Sequence, residues 1–266
     1  MSIPSTIFIV PYRNREAHLS MYLRYMPWIL ETSDISSTYE VIVAHQADER
    51  PFNRGAMKNL GFIAAKQMYP HHYKDITFVF QDVDTLPGLR NIISFKTEPG
   101  KIHHYYGFRF ALGGIFSVKG ADFEKINGFP NYWGWGFEDN CIQLRWNKCG
   151  GVTVRDKEFF ENGNINILQF GSGIRRTLDA GVINKMHSDN GTNGITSISK
   201  VAYKRDILQP QYFMVHFTSW EVPEKHDEVL FETRVAPRTV LQSKLSMNQI
   251  IHSASVHNKR QNGEHR

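Results

Sequence analysis

Along the first ninety or so residues, short apolar runs alternate with polar, charged stretches. Ile7 to Val10 is an uninterrupted apolar run closed by Pro11 and followed by PYRNREAH, which predicts a buried strand and then a loop entering a helix. In that helix Leu19, Leu23, Met26, Ile29 and Leu30 recur at three- and four-residue intervals, giving it one face to bury. Tyr39 to Ala44 predicts a second strand, HQADERPFNRG a second polar segment, and Ala56, Leu60, Ile63, Ala64 and Gln67 a second amphipathic helix. A third strand, Phe78-Val79-Phe80, ends in two carboxylates one residue apart, Asp82 and Asp84, before Pro87 stops it. Strand, loop and helix thus alternate twice, which predicts an α/β domain with a mainly parallel twisted sheet flanked by helices. In such sheets ligands sit beyond the carboxyl ends of the strands, and here those ends carry Arg13 and Arg15, then Phe52 and Arg54, then Asp82 and Asp84.

The pattern then loosens. Lys101 to Arg109 reads as a basic, less regular segment. Gly113-Gly114 before Ile115-Phe116-Ser117-Val118 predicts a strand whose backbone something else approaches closely. Ala121 to Ile126 predicts a short helix, Gly128-Phe129-Pro130 a turn, and Glu138 to Trp146 a helix with acids in its first turn. Residues 151–183 read as short strands and loops of undetermined order. HSDNGTNGITSIS, from His187, reads as a mobile loop, and Tyr212 to Phe217 as an edge or late strand. The expected organisation is a single catalytic domain over residues 1–243, followed by a polar, basic, disordered tail over 244–266.

The whole-chain figures narrow the partners. The 266 residues are 41% hydrophobic and 13% aromatic, enough for a real core. A formal charge of +5 suits an anionic ligand, and without a Lys/Arg block it suits a nucleotide better than nucleic acid. Two cysteines, Cys141 and Cys149, imply no disulfide framework and a reducing compartment. No apolar run approaches the roughly 20 residues that span a bilayer. The N-terminus lacks a basic, cleavable leader, so the expected setting is cytoplasmic, with no membrane span.

Two stretches carry candidate chemistry. Like charges as close as Asp82 and Asp84 at the edge of a core need a cation, strong hydrogen bonds or a proton, so FVFQDVDTLP is either a metal and nucleotide site or a capped strand end with a solvated turn. NYWGWGFEDN, Asn131 to Asn140, sets two tryptophans beside Glu138 and Asp139; it is either a Trp-rich capped turn or a platform for the flat face of a sugar. An acid at a helix N-terminus stays ionised and suits a base that deprotonates a hydroxyl. The histidine pairs His71-His72 and His103-His104 read as surface residues, and Lys101 and Arg109 either approach a diphosphate or are solvated.

PYRNREAHL (Pro11 to Leu19), FNRGAMKNLGF (Phe52 to Phe62), FVFQDVDTLP, GGIFSVKGADFEKINGFPNYWGWGFED (Gly113 to Asp139) and MHSD (Met186 to Asp189) follow one another in an order and spacing that resemble the beta-1,4-galactosyltransferase family, inverting glycosyltransferases of the Rossmann-like GT-A fold. The resemblance implies transfer of galactose or N-acetylgalactosamine from a UDP-sugar to a saccharide hydroxyl in beta linkage. It implies that Pro11, Tyr12, Arg13, Arg15, Phe52, Arg54, Asp82 and Val83 line the donor nucleotide, with Ala111 and Gly114 at the donor sugar. Asp84 and His187, with Asp82 beside them, would hold Mn2+, which binds the diphosphate. Trp135 would cover donor and acceptor, Glu138 would bind sugar hydroxyls and Asp139 would be the general base.

Departures from the family pattern shift these expectations. Asn184 stands where a further metal ligand is usual, and a harder amide oxygen moves the preference from Mn2+ towards Mg2+. Ala111 replaces a tyrosine of galactose-transferring members, which makes UDP-GalNAc a donor candidate beside UDP-galactose. Phe137 and Asn140 replace a glycine and an acid on the acceptor side. Those changes motivate an alternative, a glycan-binding protein that keeps the fold without catalysis; a metal-dependent phosphohydrolase built on Asp82 and Asp84 is a third. The family's membrane anchor has no counterpart here, which fits a cytosolic or virus-like setting.

Overall fold

The computed structural model describes residues 3–36, 38–155, 159–170, 175–179, 181–225 and 230–234. The expected tail, 244–266, and the end of the expected domain at 243 lie outside the described residues. The chain begins β1 (Thr6–Tyr12), α1 (Glu16–Leu30), β2 (Tyr39–Gln46), α2 (Arg54–Met68) and β3 (Thr77–Gln81), the alternation its hydrophobic pattern predicts. After β4 (Thr85–Pro87) come β5 (Lys101–Gly107), β6 (Ile115–Lys119), α3 (Gly120–Lys125) and α4 (Glu138–Lys148). Short strands follow: β7 (Val152–Val154), β8 (Phe160–Glu161), β9 (Ile167–Gln169) and β10 (Arg175–Asp179). Then come α5 (Val182–His187), β11 (Ser199–Gln209), β12 (Tyr212–Glu221) and β13 (Leu230–Arg234).

The main sheet runs β11-β12-β2-β1-β3-β6-β5-β7, with β8 also paired to β5. Its middle, β12-β2-β1-β3, is parallel; β6 lies antiparallel between β3 and β5, and β11 lies antiparallel on β12. Alternate residues of the parallel strands face two cores. Ile7, Ile9, Ile42, Phe78 and Phe80 pack with Leu60 and Phe62 of α2, joined by Phe116, Phe123 and Phe129 in a cluster of edge-on and stacked rings. Phe8, Val10, Val41, Val43 and Val79 face Leu19, Tyr22, Met26 and Ile29 of α1. The period of two along each strand divides the side chains between these layers, and the parallel ladder brings the carboxyl ends of β1, β2 and β3 to one edge.

Three expectations are corrected. Lys101 to Arg109 is largely the strand β5, because its polar atoms find partners: Tyr105 donates to the Lys96 carbonyl at 2.7 Å, and buried His104 engages the Tyr106 and Gly113 carbonyls at 2.9 Å each. Tyr212 to Phe217 belongs to a late strand, as expected, but an inner one rather than an edge, with β11 outside it. The polar segment after His187 is fastened rather than loose. Arg145 of α4 pairs with Asp189 and donates to the Asn193 carbonyl, and Asn131 donates to Asn193 Oδ1 and the Gly194 carbonyl. Among the described residues no helix is long and apolar enough to cross a membrane, and both cysteines are free.

Candidate active site

The site grows from the start of α2. Asn53 caps this helix, its Oδ1 accepting from the Ala56 amide at 2.9 Å while its Nδ2 donates to the Asn131 carbonyl at 2.8 Å. A lone parallel bridge joins Asn53 to Gly134, and the Gly134 amide donates to the Phe52 carbonyl at 3.1 Å. These bonds tie the Phe52-Asn53-Arg54 segment to the Trp loop. Trp133 is committed to the core: it stacks on Trp220 at 5.1 Å between ring centroids, with the Arg50 guanidinium over both rings. Trp135 is half-buried, its amide donating to the Thr177 carbonyl at 2.7 Å.

Arg54 then gathers the acids. Its Nε and Nη2 donate to the two oxygens of Asp82 at 2.9 and 2.8 Å, and its Nη1 donates to Glu138 at 2.5 Å and to both oxygens of Asp139 at 2.9 Å. Lys58, one turn further along α2, donates to Asp139 Oδ1 at 3.2 Å. Three carboxylates therefore meet two cations at the carboxyl edge of the sheet. Burial works against the charge on Arg54, but Asp139, Asp82 and Glu138 outweigh it and hold the guanidinium well above its ordinary value. Burial likewise works against the charge on Asp139, but the charges and hydrogen bonds of Arg54 and Lys58 win and keep its carboxyl below the usual range. Lys58 goes the other way: burial, reinforced by Arg54, lowers it.

Backbone geometry makes room for this cluster. Phe137, at the N-cap of α4, sits at φ +65°, a left-handed conformation that costs a bulky residue on the order of 1–3 kcal/mol. Its ring is buried with Tyr132, Cys141 and Val182, which holds the turn in place. A side chain at Gly113 would put its Cβ 2.5 Å from Asp139 Oδ2, so this glycine is what lets β6 begin against the acid. Gly114, at φ +72°, meets the Tyr106 carbonyl instead; the close approach predicted for the glycine pair is made by the chain itself. His104 supports the same corner. Arg155 Nε donates to its Nδ1 at 2.9 Å, and its Nε2 reaches the Gly113 and Tyr106 carbonyls. Burial first, then Arg155, pull its pKa down to about 4, so the pair His103-His104 is not the surface pair its sequence suggests.

Pro11 and Tyr12 are buried at the end of β1, Arg13 Nη1 donates to the Arg50 carbonyl, and Arg15 is half-buried at the N-cap of α1. Val83 and Ala111 are buried and Phe52 half-buried. Asp84 is half-buried, its Oδ1 3.3 Å from Thr85 Oγ1. His187 is exposed on the last turn of α5. Among the described residues no three His, Cys, Asp or Glu side chains gather closely enough to hold a metal ion, so Asp82, Asp84 and His187 form no ready-made triad, and both oxygens of Asp82 accept from Arg54. A carboxylate and an imidazole are nevertheless the donors that suit Mn2+. Lys101 and Arg109 lie in exposed ion pairs with Glu98 and Glu161. Lys58 is absent from the sequence-based candidates, although a cation four residues after Arg54 at a helix N-terminus, where the dipole disfavours positive charge, is a readable signal of acids nearby.

Residues 2–93 match a family model described as the N-terminal region of glycosyl transferase group 7, and residues 94–167 one described as the N-terminal domain of galactosyltransferase. Beta-1,4-galactosyltransferase 1 of Bos taurus is 37% identical over 146 residues, 52% of this chain and 35% of the relative. Beta-1,4-galactosyltransferase 2 of Homo sapiens is 37% identical over 146 residues, 50% of this chain and 37% of the relative. The match spans about a third of the length of these relatives. Among solved structures, the catalytic domain of Drosophila beta1,4galactosyltransferase 7 in complex with xylobiose is similar with a TM-score of 0.65 at 20% identity, over 81% of this chain and 94% of that one. A mutant of that enzyme in complex with manganese, UDP-Gal and xylobiose is similar with the same TM-score at 19% identity. The likeness in fold covers 81% of this chain, a larger share than the residues 2–167 that the family models match.

Proposed function

The chain belongs to the beta-1,4-galactosyltransferase family, and from that premise we propose that it is a UDP-sugar-dependent, inverting glycosyltransferase that moves galactose or N-acetylgalactosamine to a saccharide hydroxyl. The observation that carries this reading is the Arg54 cluster, which draws Asp82 from the end of β3 and Glu138 and Asp139 from the start of α4 to one point on the ligand-binding edge of the sheet. Carboxylates are what sugar hydroxyls need. They are the opposite of what a bare diphosphate needs, so a divalent cation is part of the proposal. Asp84 and His187 are the residues that would hold it, and when bound it would neutralise the negative charge on the departing UDP.

The chain's own residues do the rest. Pro11, Tyr12, Arg13, Arg15, Phe52 and Val83 line the nucleotide, Arg54 and Asp82 reach its ribose and sugar side, and Glu138 accepts from sugar hydroxyls. Trp135 covers the bound sugars. Asp139 takes the proton of the acceptor hydroxyl, and the low-lying pKa that Arg54 and Lys58 impose keeps it ionised for that role. Single displacement needs this base and a stabilised leaving group, and no protein nucleophile. Ala111 in place of a bulkier side chain supports N-acetylgalactosamine as a second donor sugar.

The assay is UDP release from UDP-galactose and UDP-GalNAc with manganese across a panel of saccharide acceptors. Asp139→Asn is expected to lower turnover by about 10²–10⁴-fold, and Asp84→Ala to weaken metal-dependent UDP binding. Absence of turnover with every UDP-sugar, together with unchanged UDP binding by Asp84→Ala, would sink the reading.

A further inference from the structure

One turn beyond Arg54, α2 carries a lysine whose part in the transfer chemistry above is so far only its charge beside Asp139. Lys58 is 1% exposed; its Nζ lies 3.2 Å from Asp139 Oδ1 and 4.3 Å from the centre of the Phe129 ring. Removing an ammonium from water costs several kcal/mol in a folded protein, so the position demands a compensating charge that an apolar side chain of similar length would not. Asp139 provides it. The donors on Asp139 are shared unequally: Oδ1 accepts from Lys58 Nζ and Arg54 Nη1, and Oδ2 from Arg54 Nη1. Oδ2 also rests beside Gly113, on the side where the chain has no side chain.

We propose that Lys58 is a positioning residue for the transfer reaction, pinning Asp139 through Oδ1 so that Oδ2 is the oxygen presented to the acceptor hydroxyl. The inference rests on the reading of Asp139 as the base. In the step it serves, the acceptor O–H bond breaks and its proton passes to Oδ2. The acceptor oxygen bonds the anomeric carbon of the donor sugar as the old anomeric C–O bond breaks, its electron pair leaving on UDP. The same contact sets the charge around the base. Asp139 is faced by Arg54 and Lys58 from α2 and by His104 from β5, and it shares Arg54 with Glu138 of its own helix and with Asp82 at the end of β3. Removing the lysine charge from this set raises the pH at which Asp139 ionises.

The test compares the full-length Lys58→Met and Lys58→Arg variants with the native chain by two readouts. Carbon-13 NMR of the Asp139 carboxyl, assigned by difference from Asp139→Asn, needs no substrate. Lys58→Met is expected to move its titration midpoint up and Lys58→Arg to restore it. UDP release from UDP-galactose with manganese and xylobiose is the second. Lys58→Met is expected to lower kcat about tenfold at the acid end of the profile, the loss shrinking as pH rises, with KM for UDP-galactose within about twofold and rescue by Lys58→Arg. An Asp139 midpoint that does not move in Lys58→Met, or an activity loss equal at every pH, overturns the proposal. If Lys58→Met does not fold, Lys58→Gln replaces it in both measurements. Full activity of Asp139→Asn would instead overturn the base assignment, and the NMR readout would still decide whether Lys58 holds the carboxylate.

Discussion

Arg54 and Arg145 flank the same Trp loop and keep different company. Arg145, on α4, gives Nε and Nη2 to the two oxygens of Asp189 at 2.8 and 2.6 Å, and its remaining donors reach the Gly128 and Asn193 carbonyls at 2.9 and 2.6 Å. One cation meets one anion, and neutral carbonyls take the rest. Arg54 meets three carboxylates with Lys58 as its only companion cation in these ion pairs, so that cluster carries an excess of negative charge. The matched pair fastens the 187–199 segment to the body of the protein. The mismatched cluster leaves a negative charge that a ligand or cation could answer, and the contrast supports the proposal that one is architecture and the other the site.

Exchanging an acid for its amide in each cluster is the strongest way to break that contrast. Asp189→Asn leaves Arg145 buried beside a neutral partner and is expected to cost about 3–5 kcal/mol of stability, read by chemical denaturation. Asp139→Asn, by contrast, equalises charge in the Arg54 cluster. It takes the ion-pair partner from buried Lys58 but leaves Arg54 with Asp82 and Glu138, so it is expected to cost less than Asp189→Asn, about 1–2 kcal/mol, while turnover falls as stated above. A large stability loss in Asp139→Asn would erase the distinction.

Acid titration sharpens the same comparison with a smaller effect. In Asp189, burial raises the pKa, but the hydrogen bonds and charge of Arg145 outweigh it and lower the carboxyl, as Arg54 and Lys58 do for Asp139. A folded-state pKa below the unfolded one gives stability that is present above the ordinary carboxylate range and is lost as pH falls through the folded-state value. Stability measured from neutral pH to below about pH 4 should therefore fall less steeply in Asp189→Asn than in the native chain. The smallest effect concerns donor choice. Ala111→Tyr is expected to reduce the use of UDP-GalNAc relative to UDP-galactose about tenfold, measured as a ratio of kcat/KM values.

Much of this was legible in the chain. The apolar runs at Ile7, Tyr39 and Phe78 are bounded by polar segments, so the three parallel strands and both long helices follow from pattern alone. The acids Asp82, Glu138 and Asp139 stood out because carboxylates beside buried strands and tryptophans need a reason. What stayed hidden depended on partners far away in sequence. β5 reads as irregular because histidine and tyrosine look polar until the carbonyls of residues 96, 106 and 113 satisfy them. The segment after His187 looks loose because Gly191 and Gly194 announce freedom, whereas its hydrogen bonds come from Asn127, Asn131 and Arg145. Arg54 looked like a nucleotide contact, and only folding α2 against α4 reveals how many acids it holds.

The stacking of Trp133 on Trp220 gives the protein an optical consequence. Two indoles with centroids 5.1 Å apart and planes inclined by 19° are placed to couple their strong transitions, so the pair is expected to give a circular dichroism couplet in the far ultraviolet that separated indoles lack. Trp133 belongs to the loop that frames Asp139, and Trp220 to the inner strand β12. That signal reports whether the loop is seated on the sheet, and it can be followed in solution through every titration described above without attaching a label.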